Sequence, residues 1–205
     1  MQTPWPVPTT SATTRIAGVV ALVSATAYLT TLLPGPGFSG DTMEWQFMGQ
    51  VLGVPHPTGY PLYVLLNGLF VRLVPLGSLA WRANLLSAVC AVAAVLLVYH
   101  LARRRTGTPL LAAAAALTLA WTPVFWTQAV VAEVYALNAL LVAAVLATLA
   151  RWQRTRRTGD LLLACGLYAL SFGNHLTMIT LLPAVAFLIL GTEPRVVRQG
   201  RVVLA

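Results

Sequence analysis

The chain has 205 residues, of which 58% are apolar and only 9% charged, with a formal net charge of +8. A soluble globular domain carries roughly 25% charged residues, so a fully water-facing surface is excluded, and the mean hydropathy of +0.78 agrees. The basic excess does not indicate nucleic acid, because the thirteen basic residues, every one an Arg, lie between long apolar runs and not on one polar face.

A bilayer core needs about 20 apolar residues as helix. A Pro- and Thr-rich head, residues 1–14, reads as disordered and cytoplasmic. The first apolar run, Ile16 to Leu33, is long for a signal segment and lacks a small-x-small site before Pro34, so it reads as an uncleaved anchor. Leu85 to Leu101 follows, closed by Arg103, Arg104 and Arg105. Then come Pro109 to about Trp126 and Ala136 to Ala150, the latter closed by Arg151, Arg154, Arg156 and Arg157. A shorter run, Leu161 to Phe172, ends at Gly173-Asn174-His175. The last, Leu176 to Leu190, precedes Arg195, Arg198 and Arg201 in the tail at 192–205.

Pro61 to Leu76 is apolar but only about four turns long, and it contains Asn67, Gly68 and Arg72. If it crossed, the Arg clusters would fall on alternating sides. If it is interfacial or re-entrant, eleven of the thirteen Arg share one side, leaving Arg72 and Arg82 on the other. The positive-inside rule makes the Arg-rich side cytoplasmic. The expected fold is therefore all-α: a polytopic membrane helix bundle of about six spans over 15–191, with both ends in the cytoplasm.

The first outer loop then runs from Pro34 to about Arg82. Within it, Asp41 to Leu52 predicts a helix in the membrane surface, with Met43, Phe47, Met48, Val51 and Leu52 at helical spacing and Glu44 and Gln50 outside that stripe. The Pro- and Gly-rich stretch from Gly53 to Pro61 forbids a helix and suits the positioning of side chains. Cys90 and Cys165 lie inside apolar runs and read as small buried hydrophobes, with no disulfide or metal site.

This topology sorts the rare ionisable residues. Asp41, Glu44, His56, Arg72, Arg82, Glu133 and His175 fall on the outer side, while Asp160, Glu193 and His100 fall on the inner side with the Arg clusters. Charges held this close to hydrocarbon are costly and mark functional sites. Three separate outer connections supply them, which points to a cleft at the outer surface. Bland readings stand beside this one: Asp41 as an N-cap, Glu44 on a solvated face, Glu133 paired with Arg82, His56 as a loop residue, and His175 starting a helix capped by Asn174. Trp45, Trp81, Trp121, Trp126, Tyr60 and Tyr135 read as an aromatic belt, whose rings could also stack on a sugar.

The same segments carry a family resemblance. Gly40-Asp41-Thr42-Met43-Glu44, Gly53-Val54-Pro55-His56-Pro57-Thr58-Gly59-Tyr60-Pro61-Leu62, Ala132-Glu133-Val134-Tyr135-Ala136-Leu137-Asn138 and Gly173-Asn174-His175-Leu176-Thr177 occur in register. Together they resemble a family of bacterial and eukaryotic membrane proteins whose animal relatives are protein O-mannosyltransferases. The likeness runs from about residue 15 to 190, and the Gly-x-Pro-His-Pro-x-Gly-Tyr-Pro stretch is its most specific part. That family is similar to the GT-C glycosyltransferases.

The resemblance implies transfer of a mannose-like sugar, with inversion, from a polyprenyl-phosphate carrier to a hydroxyl of a protein or glycan acceptor on the extracytoplasmic face of the inner membrane. Asp41 matches the position of the catalytic base; Glu133, grouped with it as catalytic, could orient Asp41's partners or bind acceptor or metal. His56, His175 and Arg82 are candidates for the donor phosphate, and Glu44, Tyr60, Tyr135 and Asn174 complete the substrate-binding set. No cofactor is certain. GT-C enzymes differ in their use of a divalent cation, and Asp41, Glu133 and His175 offer oxygen and nitrogen ligands without a spacing that fixes a metal geometry.

Family members are longer than this chain, which reads as a short form or a fragment. A non-catalytic membrane scaffold or partner subunit is therefore the alternative. A transporter predicts ionisable groups deep in several spans, and these spans are almost free of charge.

Overall fold

The computed structural model describes residues 10–38 and 40–195. Most of the head at 1–14 and the tail beyond 195 lie outside the described residues. The elements, in order, are α1 (Thr10–Thr31), α2 (Thr42–Val51), α3 (Pro61–Leu73), α4 (Leu79–Thr106), α5 (Pro109–Trp121), α6 (Pro123–Ala129), α7 (Val134–Thr155) and α8 (Thr158–Ser171). A 3-10 turn (Leu176–Leu181) then leads into α9 (Leu182–Thr192). The described chain is all-helical.

Helix α4 is the central post and packs along α1, α5 and α7. Small residues allow the close approach: Ala112, Ala116 and Ala120 recur every fourth residue on α5 and are fully buried. Tyr28 of α1 donates to the Ala120 carbonyl (2.9 Å), and Tyr99 of α4 donates to that of Thr13 (3.0 Å). The bundle's exterior is apolar, with Val19, Leu22, Leu110, Leu111, Val124 and Phe187 exposed, while Ser24, Asn67, Asn84, Ser87 and Asn174 are buried. Apolar outside and small or polar inside is the sorting a lipid solvent selects.

Three helices, α1, α4 and α7, are long and apolar enough to cross a membrane, and α5 with α6 makes a fourth if the bent pair is one span. The expected third span is therefore not straight. It bends by 70° at Thr122, which takes an extended conformation (φ −63°, ψ 131°) before Pro123. Proline disfavours a helical residue in front of it and removes a backbone donor. The fifth and sixth expected spans correspond to shorter apolar helices, α8 and the segment Leu176–Thr192. A 14-residue α8 is about 21 Å long, against a hydrocarbon core of about 30 Å. Helix α3, with 13 residues, belongs to the same group of shorter apolar helices.

The expected helix forms as α2, and its apolar stripe turns outward: Met43, Phe47 and Val51, with Leu52 just after the helix, are exposed and Met48 is half-buried, while Thr42, Trp45, Gln46 and Gly49 face the bundle. Trp45 is a correction to the aromatic belt: it is 1% exposed and belongs to the core. Gly49 and Gly68 bring α2 and α3 together. A Cβ on Gly68 would lie 2.5 Å from the Gly49 carbonyl oxygen.

Candidate functional site

Gly40 turns the chain with φ +58° and places Asp41 at the N-cap position of α2. The Asp41 carbonyl accepts from Trp45 N–H (3.1 Å), yet its carboxylate makes no capping bond, and its side chain is 59% exposed. The carboxylate of the expected base is thus not consumed by helix capping.

The loop after α2 doubles back and carries His56 past the start of that helix. Glu44, one turn beyond Asp41, accepts from the His56 backbone N–H at Oε1 (3.0 Å) and from its ring Nδ1 at Oε2 (2.6 Å). An ionised carboxylate only accepts, so Nδ1 carries a proton. That leaves Nε2 facing Asp41 Oδ2 at 3.7 Å. The Glu44 hydrogen bond raises the imidazole's pKa. Burial opposes it, and the charges of Glu44, Asp41 and Glu133 add to the rise. The loop ends at Tyr60, in the left-handed region at φ +43°, a conformation costing a non-glycine residue about 1–2 kcal/mol.

Glu133 begins α7, and its Oε1 accepts from Thr42 Oγ1 (3.3 Å). Its backbone N–H and carbonyl both engage the Ser87 hydroxyl of α4, at 3.3 and 3.4 Å. Burial raises the Glu133 pKa, and the neighbouring Asp41 charge adds to that rise. The alternative pairing of Glu133 with Arg82 does not occur. Arg82 instead donates to the carbonyls of Val71 (2.6 Å) and Val74 (3.2 Å) at the end of α3. That is about 17–21 Å along the helix from Tyr60. Arg72 similarly donates to the Gly49, Gln50 and Gly68 carbonyls. Neither arginine is brought to the carboxylates.

His175 enters from the turn after α8. Its Nδ1 accepts from Thr177 N–H (3.1 Å) and caps the 3-10 turn, so the neutral ring carries its proton on Nε2. Burial lowers its pKa. Asn174 is fully buried and donates to the Val134 carbonyl (3.2 Å), while its own side-chain oxygen has no partner. Leu62 N–H donates to the Gly173 carbonyl (2.8 Å), fixing this turn to the start of α3.

A row of rings joins the two histidines. Tyr60 lies 5.3 Å from His56 and 5.7 Å from His175, and His175 lies 5.5 Å from Tyr135. Trp45 closes the row from beneath, 5.4 Å from His56 and 4.9 Å from Tyr60. Asp41, Glu44, His56, Tyr60, Glu133, Tyr135, Asn174 and His175 therefore gather at one end of the bundle, and Arg82 does not.

Two residues that sequence reasoning passed over hold this end together. Asn84 is fully buried. Its Oδ1 accepts from Ala132 N–H (2.8 Å) and Gln46 Nε2 (3.0 Å), and its Nδ2 donates to the Leu33 carbonyl (2.8 Å). Gln46 Oε1 in turn accepts from Gly37 N–H (2.9 Å). The available signal was an amide at a core position of an apolar run, which must find partners.

For a divalent cation, the ligand atoms that converge are those of Asp41, Glu44 and His56, all within 4.8 Å of one another. The grouping of Asp41, Glu133 and His175 does not arise. His56 Nε2 and Asp41 fit a cation, while Glu44 already holds Nδ1, an arrangement that orients a histidine ligand.

The fold and site thus define a helical membrane protein that concentrates carboxylates, histidines and aromatic rings at one end of its bundle. The family model for the Protein O-mannosyl-transferase TMEM260 N-terminal domain matches residues 41–197, and the chain belongs to that family. It is 34% identical over 135 residues to mouse Protein O-mannosyl-transferase TMEM260, covering 66% of this chain and 19% of the relative. To Protein O-mannosyl-transferase tmem260 of Dictyostelium discoideum it is 26% identical over 131 residues, covering 62% of this chain and 16% of the relative. The chain therefore aligns with less than a fifth of either relative's length. No solved structure matches it.

Proposed function

We propose that this chain carries the reaction centre of a membrane glycosyltransferase of GT-C type. It moves a mannose-like sugar from a polyprenyl-phosphate carrier to a hydroxyl on a protein or glycan acceptor. In this reading the bundle crosses the membrane six times with both ends in the cytoplasm, and the Asp41 end faces away from the cytoplasm.

Asp41 takes the acceptor's hydroxyl proton as that oxygen attacks the anomeric carbon, and the bond from that carbon to the carrier phosphate breaks with the electron pair leaving on phosphate. Developing negative charge on the phosphate calls for a preorganised donor. His56, protonated against Glu44, and His175, with Nε2–H, are the two donors of that kind at the site. Tyr60 and Tyr135 offer flat faces for the sugar. Glu133, half-buried behind Thr42, stabilises the hydrogen-bonded frame around Asp41. A divalent cation, if held by Asp41 and the Nε2 of a neutral His56, would supply electrophilic charge at the phosphate in place of that ring's second proton.

The observation that carries this reading is the Asp41 carboxylate, exposed and uncapped, 3.7 Å from a His56 ring that Glu44 holds in place. The test is transfer from a radiolabelled polyprenyl-phosphate sugar by purified wild-type protein and Asp41→Asn. The expected result is transfer by the wild type and none by the variant, with unchanged thermal stability. Transfer by the variant would remove Asp41 as base, and binding without turnover by the wild type would favour the scaffold reading, which the short alignment to the relatives keeps in view.

A further inference from the structure

At the opposite end of the bundle, α4 and α7 finish side by side. Both run away from the Ser87–Glu133 contact near their beginnings, so their C-termini lie together about 30 Å from the site. Between them is a groove of about 360 Å³, walled by Leu97, Leu101 and Ala147 and rimmed by His100, Arg104 and Arg151. A second recess of about 150 Å³ shares Leu101 and Arg104 with it and adds Arg105 and Arg154.

The charges here do not cancel. All five acidic residues of the chain are described, and their ion pairs are accounted for: Asp41 and Glu44 with His56, Asp160 with Arg151 (3.0 Å), and Glu193 with Arg156 (3.9 Å), while Glu133 lies at the far end. No acidic side chain pairs with Arg104, Arg105 or Arg154. The C-terminal ends of two helices offset about half a charge each, so the three guanidinium groups that line the smaller recess leave a net positive well beside the groove.

We propose that these two adjoining recesses bind an anionic phospholipid, its phosphate in the smaller one between Arg104 and Arg154 and one acyl chain lying in the larger along Leu97, Leu101 and Ala147. Guanidinium groups suit phosphate geometrically, and a basic recess between helices at a membrane edge is where lipid headgroups bind. The apolar wall beneath the charges distinguishes a lipid from a free anion. A merely basic surface would attract anionic lipid diffusely, whereas here arginines from two helices flank one recess with a hydrocarbon floor.

The test is native mass spectrometry of the purified full chain titrated with phosphatidylglycerol or with phosphatidylcholine of identical acyl chains. Retention of the anionic lipid only is expected. R104Q/R154Q should weaken that retention about thirtyfold, from about 1 kcal/mol per arginine at a membrane surface. R15Q/R157Q removes the same charge from residues outside the lining of both recesses and should weaken it less than about threefold. A147W keeps every charge and fills the floor, so it should also lose retention while melting at the wild-type temperature. Equal loss in the two double variants, unchanged retention in A147W, or displacement of the lipid by excess inorganic phosphate would each overturn the proposal.

Discussion

Glu44 grips His56 twice, at the backbone N–H (3.0 Å) and at ring Nδ1 (2.6 Å). One carboxylate thereby fixes both the loop's path and the ring's orientation, and Nε2 is left toward Asp41. We predict that Glu44→Gln keeps a neutral acceptor for the backbone but loses the charge that holds the ring protonated. Sugar transfer should fall about 10–100-fold, the usual cost of losing an orienting partner. The pH limb assigned to His56 should move to lower pH. A rate unchanged across the pH profile would count against a protonated His56 at the phosphate.

The titrating groups set the sign of stability against pH. His56 has a raised folded pKa, so its contribution is complete below about 6.5 and is lost as pH rises through the folded value. Glu133 is also raised. The folded protein keeps that proton longer than the unfolded chain, so stability falls with rising pH across a window starting at the ordinary carboxylate value. His175 is lowered and works the other way, costing stability as pH falls below about 6.5. Thermal melts in detergent from pH 5 to 9 should show the alkaline loss flattened in His56→Gln and the acid loss flattened in His175→Gln.

Asn84→Ala should destabilise the protein by about 3 kcal/mol, because it strands a buried Ala132 N–H, a buried Gln46 amide and the Leu33 carbonyl, each unmade bond costing about 1–3 kcal/mol less whatever water recovers. Urea or thermal denaturation in detergent measures this. Because Gln46 rides on α2 with Asp41, transfer by the surviving folded fraction should fall as well.

Gly68→Ala should cost about 2 kcal/mol and reduce transfer, since its Cβ would meet the Gly49 carbonyl at 2.5 Å and backbone must shift. Gly166→Ala, in α8 with nothing within 4 Å of its Cβ, should instead be neutral or stabilise by about 0.5–1 kcal/mol. The contrast between two helical glycines separates close packing from helix propensity. Equal melting temperatures for the two variants would show that α2 and α3 have room to part.

Much of the candidate site was legible in sequence because ionisable residues are so rare here. Asp41, His56, Glu133 and His175 stood out against apolar runs, and the structure gathers them. Residues with ordinary local explanations were harder to assign. Arg82 looked available for phosphate, but a guanidinium with five donors finds exposed helix-end carbonyls, and it caps α3. Trp45 looked like a belt residue because composition cannot tell which face of a short surface helix turns inward. Gln46 and Asn84 drew no notice because neither carries a charge.

The sequence by itself determined that this is an all-helical membrane protein, where the long helices run, and that the loop from Gly53 to Tyr60 is not helical. Those outcomes follow from hydrophobic length, period and proline, which act within a few residues. The tertiary structure alone decided that Glu44, and not Glu133, holds His56, that Pro123 bends the third apolar run by 70°, and that arginines distant in the chain flank one groove. These are relations between side chains brought together by α4 and by the Gly49–Gly68 approach, and packing fixes them at separations that no local pattern records.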